Sequence, residues 1–152
     1  MKTLIAGKAE KPHVPIMVQE VMNGLKVCRA GTYIDCTIGY GGHAHYILKK
    51  LSSKGQLIGI DKDAEAIKYC KENFFDYKNL RLFHNSYDKI KNILSSSKIC
   101  GVNGMLLDLG LSSPQLNSNF RGFSYSVNSD LDMRYDLSQN YKAYDILNTF
   151  SK

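Results

Sequence analysis

Apolar positions near the start of the chain follow a helical period. In HVPIMVQEVMNGL, residues 13 to 25, Val14, Val18, Val21, Met22 and Leu25 share one face, and Pro15 suits a first turn. The period then changes. Residues 32 to 38, TYIDCTI, form a short run rich in β-branched and aromatic side chains and predict a strand. Gly39, Gly41 and Gly42 interrupt it, after which Ala44, Ile47, Leu48 and Leu51 recur at helical spacing.

The alternation repeats. QLIGID, 56 to 61, predicts a buried strand, and Asp63 is placed to cap a helix with Ala66, Ile67, Cys70 and Phe74 on one face. NLRLFHNS predicts a third strand and YDKIKNILSSS a shorter helix with Ile90, Ile93 and Leu94 inward. GMLLDLG, 104 to 110, predicts a fourth strand whose nearly continuous apolar run implies cover on both faces. Strands alternating with helices define an α/β class with a parallel, doubly wound sheet. From Leu111 to Asp136 the periodicity vanishes; a loop of about 26 residues is far longer than an ordinary connection, and such loops tend to be functional. QNYKAYDILNTF then predicts a closing helix. Four strands are few for this class, and the fourth leaves a hydrophobic edge, so the chain reads as the front part of something longer.

Composition changes this picture little. At 152 residues the chain fits one ordinary domain, with 43% hydrophobic residues and no low-complexity tract. No apolar run approaches the ~20 residues of a membrane span, and MKTLIAGKAEKPHVP has too short an apolar patch for a signal peptide, so a soluble cytosolic protein is expected. A net charge of +6 permits a polyanionic partner, although the lysines are scattered and serve solubility equally well. Cys28, Cys36, Cys70 and Cys100 lack C-x-x-C spacing and read as reduced thiols, Cys36 and Cys70 on apolar faces. His43 and His45 lie too close on one helix, with no third ligand nearby, to favour a metal site.

The turn after the first strand is where an open parallel sheet binds its ligand, and glycine there lets backbone N–H groups approach closely. A tight strand-to-helix turn without a ligand is the alternative. Asp61, ending the second strand 19 residues after Gly42, suits the hydroxyls of a ribose. A 2′-phosphate would be repelled, which leaves NAD and S-adenosylmethionine. The glycine spacing fits either, but Asp35, four residues before Gly39, favours a ligand with an ammonium and a sulfonium over one with a pyrophosphate.

Further segments narrow the reading. HVPIMVQEV, YIDCTIGYGGHAHYIL, IGIDKDAEAI, LLDLGLSSPQL, RGFSY and LDMRYD occur in that order. Together they resemble the bacterial family of methyltransferases that modify the exocyclic N4 amine of a cytosine in the decoding region of small-subunit ribosomal RNA. The resemblance runs from His13 to Asn148 and implies a Rossmann-like class I methyltransferase fold that uses S-adenosylmethionine. It implies that Gly41, Gly42 and His43 line the methionine end, Asp61 holds the ribose, and Tyr87 packs on the adenosine where the family usually has phenylalanine. Asp108 and Gln115 complete the site, and no residue is singled out as catalytic. Replacing Asp108 by Ala is expected to abolish cofactor binding.

The loop from Asp108 through Ser112, Ser113 and Pro114 is expected to receive the base. Phe120, Arg121, Phe123, Tyr125 and Arg134 are candidates for holding a splayed nucleotide, with an Arg121–Asp132 pair that pins the loop as the plainer role. The resemblance further implies a ribosomal RNA partner in the cytoplasm and leaves open a homodimer or a companion chain. The family normally carries a helical insertion and further strands, and Asn148 falls where that insertion begins. The expectation is therefore an N-terminal half, residues 1–12 flexible, with activity expected of the family rather than of this piece alone. The rivals are an NAD-dependent oxidoreductase, a non-catalytic RNA-binding fragment, and a methyltransferase acting on a small molecule or protein.

Overall fold

β-Branched and aliphatic side chains at four places pair into one parallel sheet in the computed structural model, which describes residues 15–151. Its strands are β1 (Thr32–Asp35), β2 (Gln56–Asp61), β3 (Leu80–His84) and β4 (Gly104–Leu106), in the order β3-β2-β1-β4. Tyr33 lies opposite Leu57 on one side and Gly104 on the other, and Asp61 opposite His84. The order reverses at β1, and an open parallel sheet places its ligand crevice at that point, outside the carboxyl ends of the strands.

Helices cover both faces. α1 (Val18–Leu25), α2 (Gly42–Lys50) and α3 (Ala64–Asn73) pack on one, where Met22, Tyr33, Ile47, Leu48, Leu57, Ile67 and Cys70 form a core. α4 (Ile90–Ser96) follows a single 3₁₀ turn, Tyr87–Lys89, and sets Ile93 against Ile34, Ile58 and Ile60 on the other. Tyr33 and Ile34 are neighbours in sequence yet belong to different cores, as alternation along a strand requires. Asp63 caps α3 as predicted, its carboxylate accepting the Glu65 N–H at 3.0 Å. Two short helices follow, α5 (Ser113–Leu116) inside the otherwise irregular 111–136 segment and α6 (Ala143–Thr149).

Three expectations are corrected. β1 ends at Asp35 rather than Ile38, because the Asp35 carboxylate accepts the Thr37 N–H and the chain turns out of the sheet. β4 is three residues long rather than seven and is not covered on both faces: Met105, Leu107 and Leu109 are 54%, 48% and 65% exposed. β4 is the sheet edge, and among the described residues nothing packs beyond it in the ladder. Pro15 precedes α1 rather than lying in its first turn, and rests against Gly42. Residues 1–12 and Val14 lie outside the described residues. Among those described, no helix is long and apolar enough to cross a membrane.

Candidate functional site

The turn between β1 and α2 is built on two left-handed glycines, Gly39 at φ 50° and Gly41 at φ 77°. Their surroundings differ. A side chain on Gly41 would run into the Phe74 ring beyond α3, and one on Gly42 would come within 3.1 Å of Pro15. Beside Gly39 the nearest such atom is 3.9 Å away. A Cβ at 41 or 42 is thus excluded by the protein's own side chains, whereas a Cβ at 39 would meet open space.

That space belongs to a cavity of about 470 Å³ at the carboxyl ends of the strands. Gly39 donates its N–H to Asp61 Oδ2 at 2.8 Å, and Asp63 donates its own to Asp61 Oδ1 at 2.9 Å, so two backbone groups fix the carboxylate in the wall. Asp108 stands on the β4 side; its N–H is bonded to Thr37 Oγ1, and its carboxylate is 3.9 Å from His43 Nδ1. His43 is anchored from behind by a 2.9 Å contact between Nε2 and the Ile16 carbonyl. Tyr87 contributes a half-exposed ring, with Lys62 Nζ 5.9 Å from its centroid. Gln115 closes the wall from α5.

Six of the seven residues singled out in the sequence therefore meet around one cavity: Gly42, His43, Asp61, Tyr87, Asp108 and Gln115. Gly41 does not line it. Asp35 is also absent from the wall, being 1% exposed beneath the turn. Burial pushes its carboxyl up to about 7; the Thr37 N–H pulls the other way, and the charges of Asp61 and Asp108 add to the rise. Asp61 is likewise raised, chiefly by burial, against the pull of its N–H donors. Asp61 and Asp108 in the wall thus bias this end of the sheet toward a cation, and a pyrophosphate would meet like charge.

The long segment is held down in an unforeseen way. Arg121 is 1% exposed and pairs with Asp63 at 3.1 Å and Glu65 at 3.5 Å, not with Asp132. Asp132 instead holds Arg134 at 2.8 Å and Lys142 at 3.8 Å, which keeps its carboxyl below the usual range. Gln115 Nε2 donates to Asp63 Oδ2 at 2.7 Å. Spacing gave no signal of this, because Asp63 read simply as a helix cap. Of the five candidates for stacking a nucleotide, Arg121 is buried, Arg134 is engaged by Asp132, and Phe123 lies against Tyr135 at 5.2 Å. Phe120 and Tyr125 remain exposed. Tyr135, Asn85 and Lys62 line the cavity without having been anticipated.

A doubly wound parallel sheet with an acid-lined crevice at its carboxyl ends is Rossmann-like, and its likeness to solved S-adenosylmethionine-dependent enzymes sets the class as the class I methyltransferase fold. Within it, the chain belongs to the MraW methylase family, which it matches over residues 10–152. It is 44% identical over 143 residues to the ribosomal RNA small subunit methyltransferase H of Clostridium botulinum strain Loch Maree, covering 94% of this chain and 46% of that protein. The relative from strain Kyoto gives the same figures. The chain spans about half the length of the curated relatives it matches. Two solved structures share the fold. NSun6 from Pyrococcus horikoshii superposes with a TM-score of 0.55 at 22% identity, over 72% of this chain and 29% of that one. Fibrillarin from Aeropyrum pernix, solved with natively bound S-adenosyl-L-methionine, superposes with a TM-score of 0.50 at 14% identity, over 56% and 36%.

Proposed function

We propose that this chain forms the cofactor-binding part of an S-adenosylmethionine-dependent enzyme that methylates the N4 amine of a cytosine in the decoding region of small-subunit ribosomal RNA. The observation that carries the reading is the acid-lined cavity between the Gly39 turn and Asp108, in a chain of the MraW methylase family. Its size lies in the range of small-molecule sites. S-adenosylmethionine supplies an electrophilic methyl group on a sulfonium.

The chain's own residues hold and orient. Asp61 accepts from the ribose hydroxyls, while Tyr87 offers a ring face to the adenine. Asp108, with Gly42 and His43, takes the methionine end, where its charge opposes the ammonium. Gly41 contributes by letting the turn close on Phe74. Gln115 shuts the wall. The 108–114 segment receives the cytosine, and its acceptors draw density onto an amine whose lone pair is delocalised into the ring; holding nucleophile and methyl donor together supplies much of the rate. Phe120 and Tyr125, exposed on the long segment, are suited to stack on RNA bases. A ribosomal RNA substrate supports a cytoplasmic location, and a homodimer or a companion chain is the partner to be sought at the β4 edge.

Titration calorimetry tests the reading. S-adenosylmethionine should bind the parent chain and NAD should not, and Asp108→Ala should remove the binding. Uptake of NAD alone would transfer the protein to the oxidoreductases, and a D108A variant with parental affinity would take Asp108 out of the site.

A further inference from the structure

Asp63 holds more of the molecule together than a helix cap needs to. Its Oδ1 accepts the Glu65 N–H, the ordinary cap. Its Oδ2 accepts from Gln115 Nε2 at 2.7 Å and from Arg121 Nη2 at 3.1 Å, both across more than fifty residues of chain. Its own N–H donates to Asp61. Arg121 Nη2 in turn donates to the carbonyls of Arg134 and Tyr135, at 3.2 and 2.9 Å, and the Tyr135 hydroxyl donates to the Gly110 carbonyl. The segment from 110 to 135 is thereby closed into a ring around one buried guanidinium. Glu65, the other counter-charge, is 3.5 Å away with its side chain 58% exposed, and Arg121 Nε has no hydrogen-bond partner among the described residues. Compensation of this buried charge falls mainly on Asp63.

We propose that Asp63 is the positioning residue of the cavity, seating Gln115 and the 110–135 segment against the β2 end so that the wall exists before any ligand arrives. This rests on the cofactor reading above only for the identity of the ligand. Asp63 touches Asp61, the side chain expected to hold the ribose, on one side and Gln115 on the other, so a shift at 63 moves two walls together. A structural cap would move neither.

Asp63→Asn separates the two roles. Asparagine remains a good N-cap, but with its oxygen turned to Glu65 its amide would confront two donors, Gln115 Nε2 and Arg121 Nη2. Hydrogen exchange should then accelerate far more across 111–136 than at the β1–β3 amides, which report only the loss of global stability. Affinity for S-adenosylmethionine should fall by about tenfold to a hundredfold, the range for a lost charged hydrogen bond. The guanidinium left unpaired also destabilises the fold, so D63N/R121M is the second variant: with the buried charge gone, its melting temperature should return toward the parent while protection of 111–136 and affinity do not. The proposal is overturned if D63N keeps parental affinity and protection. It is equally overturned if the double variant regains affinity along with stability, or if either variant loses protection in the sheet as much as in the loop. Should the parent chain take up no S-adenosylmethionine, the cofactor reading falls, and the positioning role is decided by exchange alone.

Discussion

Asp35 is 1% exposed at the end of β1, and burial pushes its carboxyl from 3.8 up to about 7. A raised carboxyl favours the folded state when protonated. Its contribution is complete below about pH 4 and is lost as the pH rises through 7, a swing of a few kcal/mol. Asp35→Asn, neutral throughout, should flatten the fall in melting temperature between pH 4 and 7 and leave the variant more stable than the parent above pH 7; an unchanged slope would remove Asp35 as its source. Ligand binding carries the opposite sign. A cation in the cavity stabilises the ionised carboxyl, so affinity should rise through pH 7 with proton release. At this scale six expected residues were legible because strand ends and turn glycines mark the crevice in any open parallel sheet. Gly41 lies off the cavity wall for a definite reason: a glycine that admits a ligand and one that admits Phe74 leave the same letter in the sequence.

Elements whose cover is local were readable. α2 and α3 follow from their apolar spacing, and Asp63 marks the start of α3. β4 was not, because a continuous apolar run states that two covers are needed and cannot say whether neighbours supply them. The tie between α3 and the long segment was equally hidden, since Asp63 and Arg121 are 58 residues apart and each has a plainer reading alone. The α2–α3 junction offers a direct check. Gly41→Ala places a Cβ at φ 77° and against the Phe74 ring, so it should destabilise by about 2 kcal/mol or more in urea unfolding. Phe74→Leu in the same chain should return part of that loss, and fully additive effects would contradict the contact.

The molecule as a whole presents a four-stranded sheet with β4 at one open edge. Met105 in β4, with Leu107 and Leu109 just after it, makes an exposed apolar run at the sheet edge, and open edges of this kind pair with other chains. Light scattering at micromolar concentration should therefore find the purified chain above its 17.1 kDa monomer mass, and Met105→Lys with Leu107→Lys should return it to that mass. A monodisperse monomer in the parent would show the edge to be protected.

The most direct measurement is a crystal of the chain soaked in S-adenosylmethionine. The account predicts the ribose on Asp61, the adenine against Tyr87 and the methionine end toward Asp108, all inside the cavity bounded by the Gly39 turn. An adenosine bound elsewhere on the molecule, with Asp61 and Asp108 untouched, would contradict it.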